Sequence, residues 1–308
     1  MRIVSLLPSA TEIVFALGLG DELVGVTHAC DWPPEAADIP AVTRPLRDLG
    51  NLSSREIDRL VGEAAHGGSA LYELDVAALE AAQPDLILTQ ELCAVCAMSY
   101  REVREVARAI DPEITVVSLE PTSIEGILNS IATVGAMADA EEAALDVVAT
   151  LRERLRDLET RVARRREAGQ PPVRVVALEW LAPPFVVGQW VPEQIRRSGG
   201  WDLLGREGEK AVASTWQAIH EVDPEMLILM PCGFHLAETV AQWERTPRPP
   251  LWDELEAVRR GQVFAVDGSA YFSRPGPRVI DGMELLAEMF DPDGFAETSP
   301  LGSWTPLL

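Results

Sequence analysis

Apolar positions recur along this chain in two rhythms. Short apolar runs bounded by turn residues alternate with segments in which apolar side chains return every three or four positions. The runs predict buried strands at residues 2–7, 23–27, 86–89, 114–119, 173–178, 226–230 and 263–266. The longer period predicts helices over residues 12–17, 52–61, 75–80, 99–110, 123–136, 191–197 and 279–290. One helix dominates. No Pro or Gly interrupts residues 140–168, and Leu145, Val148, Leu151, Leu155, Leu158 and Val162 fall on a single apolar stripe. Roughly 28 helical residues would span about 40 Å, the width of two small domains side by side. Strand and helix patterns alternate on both sides of this strut. They predict an α/β protein with two Rossmann-like lobes joined by one long α-helix and a ligand cleft between the lobes. The boundaries are residues 1–138 for the N-terminal lobe, 139–170 for the linking helix, and 171–308 for the C-terminal lobe with a loosely held tail beyond Phe290.

Charge narrows the partners. A net charge of −23 over 308 residues repels phosphate and argues against nucleic acid or an anionic membrane surface. No apolar run reaches the length of a membrane span, so no membrane insertion is expected. The segment Met1 to Pro8 is too short for a signal-peptide core, which predicts a cytoplasmic protein whose four cysteines are thiols.

The chemically distinctive side chains fall beyond predicted strand ends, where open parallel sheets bind ligands. Ser9 and Glu12 have capping-box spacing after the first strand, and the backbone N–H groups of that turn point beyond the strand end, so Ser9 is either a plain cap or a ligand-binding residue. His28, Cys30 and Trp32 follow the second strand at alternate positions, which in an extended segment puts them on one side. Gln90 and Glu91 follow the strand at 86–89, and Cys93 and Cys96 come next as Cys-x-x-Cys. Glu179, Trp180, Phe185 and Trp190 follow the strand at 173–178, Cys232 and His235 the strand at 226–230, and Tyr271, Phe272 and Arg274 the strand at 263–266. His66, beside Gly67 and Gly68, reads as a solvated loop residue.

These residues support several chemistries. The aromatics suit a bulky, planar, partly apolar small molecule, and Arg274, held by Pro275-Gly276-Pro277, suits an amide, carboxylate or phosphate on it. Cys30, Cys93, Cys96 and Cys232 could hold zinc or an iron–sulfur cluster as four thiolates, or could be inert thiols lining a pocket. Cys93 and Cys96 alone could form a redox dithiol. There is no Gly-x-Ser-x-Gly, phosphate loop or dinucleotide fingerprint, and no catalytic assembly is recognised, so the chain does not read as an enzyme.

Several stretches together carry a resemblance. They are residues 4–12, Val24-Gly25-Val26-Thr27 with Asp31-Trp32-Pro33-Pro34, Pro84-Asp85-Leu86-Ile87, Pro183-Pro184-Phe185, Gly199-Gly200 and Tyr271-Phe272-Ser273-Arg274. The chain is similar to the substrate-binding proteins of ABC importers with a helical backbone linker, and within that family most similar to cobalamin-binding proteins. The resemblance implies two rigid lobes and corrinoid contacts at Trp32, Phe185, Tyr271, Phe272 and Arg274. With cobalamin or a related corrinoid as the ligand, His28 or a cysteine could stand near cobalt. Two departures accompany it. Exported members begin with a leader, whereas this sequence opens at its first strand, which counts against an importer role and an ABC permease partner. Exported cobalamin binders tend to have an aromatic after the Pro-Asp-Leu-Ile strand, where this chain has Gln90-Glu91-Leu92 and then the cysteine pair.

Overall fold

The computed structural model describes the whole chain apart from residues 48, 51, 68–71, 91–99, 297 and 301 and the side chains of residues 64–67. By internal contacts it divides into two compact units. The first comprises Met1–Asn51, Arg59–Pro121 and Glu125–Thr150, and the second Leu52–Asp58, Thr122–Ile124 and Leu151–Leu308. Linear boundaries do not anticipate that the short segments at 52–58 and 122–124 belong with the second unit.

The first unit alternates strand and helix as its apolar runs predict. In chain order it holds β1 (Ile3–Ser5), α1 (Pro8–Ala16), β2 (Leu23–Val26), β3 (Thr43–Pro45), most of α2 (Ser54–Gly67), β4 (Tyr72–Leu74), α3 (Val76–Ala82), β5 (Leu86–Thr89), α4 (Tyr100–Ile110), β6 (Thr115–Ser118), most of α5 (Ile124–Met137) and the start of α6 (Glu141–Glu167). Four strands form a parallel sheet in the order β2-β1-β5-β6, while β3 and β4 pair antiparallel beside it. Val4, Leu79, Ile87, Val103 and Ala107 pack as one buried cluster.

Three local readings are corrected here. Ser9 and Glu12 do not form a capping box, because α1 begins at Pro8 and both are buried inside it. Proline needs no N–H partner at a helix start, and Thr11 Oγ1 instead donates to Ser5 Oγ at 2.8 Å. The helix α2 continues through residue 67, so His66 lies on a helix rather than a loop. The stripe of α6 holds at Val148, Leu151, Leu155, Leu158 and Val162, but Leu145 is 69% exposed. Ala144 takes the buried place, and a Cβ on Gly135 would come within 2.4 Å of the Ala144 methyl. Only small residues permit that approach of α5 to α6.

The second unit holds the rest of α6, then β7 (Val173–Leu181), β8 (Pro184–Val186), α7 (Val191–Arg197), β9 (Gly200–Asp202), β10 (Val212–Ala213), α8 (Trp216–Val222), β11 (Met226–Leu229), α9 (Leu236–Arg245), α10 (Glu256–Arg259), β12 (Val263–Val266), α11 (Gly268–Tyr271), α12 (Val279–Phe290) and β13 (Trp304–Pro306). Its sheet runs β10-β8-β7-β11-β12-β13, with β9 also pairing β7. The core strands β7, β11 and β12 are parallel, and β8 and β13 run antiparallel to their neighbours. The tail is held rather than loose. Phe295 is buried, β13 pairs with β12, and the Trp304 ring meets Phe264 edge-on at 5.4 Å.

A buried carboxyl beside β7 makes stability depend on pH. Burial pushes Asp202 up to about 6, against the pull of backbone N–H bonds from Gly205, Leu204 and Ala177. A carboxyl whose folded pKa is raised contributes stability that is complete below its ordinary pKa and is lost as pH rises through the folded value. The advantage of wild type over Asp202→Asn is therefore expected to shrink by about 1 kcal/mol between pH 5 and pH 7. Urea denaturation of both proteins at the two pH values checks this, and a constant difference would refute it.

Candidate functional site

At the carboxyl ends of β7, β11 and β12 the second unit gathers one connected cluster. Glu179 and Trp180 are not beyond the strand, as expected, but within it. The chain turns at Ala182-Pro183 and returns as β8, so the hairpin extends β7 and pairs Trp180 with Phe185. The Trp180 indole is oriented from two sides. Its Nε1 donates to the Ser54 carbonyl at 3.1 Å, and its ring lies 5.5 Å from that of Phe234. Gln242 fixes the Ser54 segment by accepting the Ser54 N–H at 3.2 Å and donating to the Leu52 carbonyl at 2.6 Å.

Residues 230–235 and 267–273 form the rest of the cluster. Cys232 is exposed, and its N–H donates to the Glu179 carbonyl at 2.9 Å. The Gly233 N–H donates to Ser273 Oγ at 3.3 Å and the Ser269 N–H to the Phe234 carbonyl at 2.9 Å. His235 sits at the N-terminus of α9 with Nδ1 2.9 Å from Asp267 Oδ2, while Asp267 Oδ1 caps α11 by accepting the Ala270 N–H at 2.8 Å. Tyr271 and Phe185 are half-buried. Phe272 and Trp190 are buried, as core packing, and the buried Arg274 donates to Ser269 Oγ at 3.0 Å, bracing α11.

The first unit presents its own strand-end groups. The alternation expected of His28, Cys30 and Trp32 fails because the Cys30 N–H donates to the Thr27 carbonyl and closes a turn. Cys30 is thereby buried with Sγ 3.1 Å from Thr11 Oγ1, while His28 and Trp32 stay exposed. Burial around the His28 ring lowers its pKa. Gln90 is half-buried just past β5, whereas Glu91, Cys93 and Cys96 lie outside the described residues. Among the described residues no three His, Cys, Asp or Glu side chains stand together as a metal site. Neither the four-thiolate reading nor the dithiol reading can be placed on them.

Sequence reasoning overlooked Phe234, Asp267, Thr43 and Tyr72. Asp267 was legible, since an Asp directly before Gly-Ser-Ala at a strand end is an N-cap signature. Phe234 acquires its role only through the β7–β8 hairpin that lengthens the neighbouring strand.

The sequence matches the family described as Periplasmic binding protein over residues 3–270. An uncharacterised ABC transporter substrate-binding lipoprotein of Bacillus subtilis is 25% identical over 301 residues, covering 96% of this chain and 82% of the relative. A vitamin B12-binding protein of Vibrio cholerae is 24% identical over 289 residues, covering 92% of this chain and 87% of the relative. Solved structures share the fold. The periplasmic vitamin B12 binding protein of Vibrio cholerae superposes with a TM-score of 0.66 at 22% identity, covering 94% of this chain and 96% of the other. A periplasmic heme binding protein from Pseudomonas aeruginosa reaches a TM-score of 0.70 at 21% identity, covering 95% of this chain and 93% of the other.

These findings correct the expectation of a cytoplasmic protein. The relatives are a lipoprotein and periplasmic binding proteins, which points outside the cytoplasm. They also restore the transporter partner that the sequence reading set aside. No described helix is long and apolar enough to cross a membrane. With the matched residues running from the first strand to α11, this chain belongs to the periplasmic binding protein family, the substrate-binding proteins that work with ABC transporters.

Proposed function

We propose that this protein captures cobalamin or a related corrinoid outside the cytoplasm and presents it to an ABC permease. The observation that carries the reading is the aromatic face of the second unit, where the oriented Trp180 ring, Phe234 at 5.5 Å, and half-buried Phe185 and Tyr271 share the strand ends. Flat aromatic surface favours a large planar ligand over a sugar or an amino acid. The named relatives that bind vitamin B12 support the corrinoid in particular.

Titration with aquocobalamin, followed by tryptophan fluorescence, tests the reading. Losing the indole in Trp180→Ala is expected to weaken binding roughly ten- to a hundredfold, the effect of about 1.5–3 kcal/mol of lost aromatic burial. Unchanged affinity in the variant, or no uptake by the wild type, would defeat the proposal. Ferric protoporphyrin is the second reading, favoured by the heme-binding structural neighbour, and the same titration with that ligand separates the two.

A further inference from the structure

We propose that Gln242 is a positioning residue for ligand recognition, acting through the Trp180 indole. The inference deepens the function proposed above and rests on it. Leu52–Asp58, Trp180 and α9 all belong to the second unit, so every contact it uses lies within one compact body.

Gln242 is 5% exposed and shares the buried face of α9 with Thr239 and Trp243. A primary amide in such a place costs free energy unless its polar atoms are bonded, and an aliphatic side chain is the ordinary occupant. Its partners are two groups of one short segment. Nε2 donates to the Leu52 carbonyl at 2.6 Å, and Oε1 accepts the Ser54 N–H at 3.2 Å. These partners fix which way the amide points, because a backbone carbonyl only accepts and a backbone N–H only donates. One side chain thus grips the main chain on both sides of Ser53. Ser53 is held in turn by a reciprocal pairing with Glu56, its N–H donating to Glu56 Oε2 at 2.8 Å and its Oγ accepting the Glu56 N–H at 3.4 Å. The turn that opens α2 therefore has one shape and one seat.

That seat aims a carbonyl at the ligand face. Ser54 O accepts the Trp180 Nε1–H at 3.1 Å, which satisfies the only polar atom of the indole. The ring's other restraint is Phe234 at 5.5 Å, two residues before α9 begins. Both restraints on Trp180 therefore come from α9, one from the residues leading into the helix and one relayed by Gln242. With its N–H engaged, the indole has no hydrogen bond to offer a polar ligand, and what it presents is π-surface held in one orientation. A ring fixed before binding loses less rotamer freedom on binding than a free one. The grip of Gln242 thereby contributes to affinity for a flat, delocalised ligand, although Gln242 itself is buried.

Two measurements on the full chain test this. In ligand-free protein with isotope-labelled indoles, NMR identifies the Trp180 N–H by its absence in Trp180→Phe. Gln242→Met removes the amide and leaves an unbranched side chain of similar length. It is expected to speed hydrogen exchange at the Trp180 indole about tenfold or more, while the buried Trp190 indole keeps its wild-type rate. Calorimetric titration, with whichever of aquocobalamin and ferric protoporphyrin the wild type binds, then closes a double-mutant cycle. Gln242→Met should weaken binding roughly three- to tenfold in the wild-type background, the effect of freeing one side chain. In Trp180→Phe, where no indole N–H remains to be held, it should change affinity less than about twofold. Equal losses in the two backgrounds make Gln242 a structural residue alone and overturn the proposal, as does unchanged exchange at the Trp180 indole. If Gln242→Met does not fold, Gln242→Glu takes its place with the same expectations, since it keeps the acceptor for Ser54 and loses the donor to Leu52. A wild type that takes up neither ligand defeats the function proposed above, and the recognition role with it. Binding with equal losses defeats the Gln242 assignment alone.

Discussion

Trp243→Ala is expected to lower the unfolding free energy by about 3–5 kcal/mol, the usual cost of emptying a buried indole site. Domains of ordinary stability have only about 5–15 kcal/mol in total, so this single change takes a large share. Trp243 is 1% exposed and belongs to the cluster of Val176, Leu178, Leu227, Leu229 and Trp252 that fills one side of the second unit's sheet. Its ring lies 5.0 Å from Trp252, whose own ring meets Trp216 edge-on at 5.9 Å. Arg248 covers the outside, its guanidinium 4.1 Å from the Trp243 centroid. A cavity there cannot close without moving the two remaining indoles and the arginine that stacked on the lost one. Trp243→Phe is the informative partner, because the buried Nε1 has no hydrogen-bond partner among the described residues and only volume is lost. It should cost about 1–2 kcal/mol. Urea unfolding gives the result: a fall in midpoint at constant slope in the order Ala, then Phe, then wild type. A loss below about 1 kcal/mol in Trp243→Ala would show that the site collapses freely.

What the sequence carried best was periodicity. The parallel strands and α6 could be read because each buries a face or a stripe with a definite period, and that signal is independent of what lies opposite. What failed depended on a partner. Leu145 continues the repeat numerically, but close packing against Gly135 gives the buried place to Ala144. Glu179 and Trp180 look like the end of an apolar run, and only the return of β8 makes them strand. Residues 300–308 have the composition of a loose tail, yet β12 has an open edge that β13 fills. The same distinction governs the candidate site. Trp180 and His28 stood out as residue types, whereas the groups that orient them, Ser54 and Thr43, are ordinary residues brought near by pairings that no local pattern encodes.

Gly268→Ala is expected to be the most damaging single-atom change at the candidate site, although the residue touches no ligand in the proposed function. Gly268 opens α11 immediately after the Asp267 cap, in backbone that an alanine tolerates. What forbids the methyl is proximity. A Cβ would stand 2.5 Å from the Pro231 carbonyl oxygen, 2.8 Å from the Met230 carbonyl carbon and 2.9 Å from its oxygen. All three are backbone atoms at the end of β11, so no rotamer change can make room. The segments 230–235 and 267–273 must separate, and the Ser269 to Phe234 bond and the His235 contact with Asp267 lie on the seam. Overpacking of this kind costs about 1–3 kcal/mol. The displaced Phe234 and Tyr271 rings should weaken corrinoid binding at least tenfold beyond what lost stability explains. Gly62→Ala calibrates the experiment, since that helical glycine has nothing within 4 Å of its would-be Cβ. There alanine should leave binding unchanged and gain about 0.5–1 kcal/mol of stability. Thermal unfolding and an aquocobalamin titration on both variants decide the matter. If Gly268→Ala binds like Gly62→Ala, the two strand-end segments do not build the ligand face, and the aromatic cluster on them is packing alone.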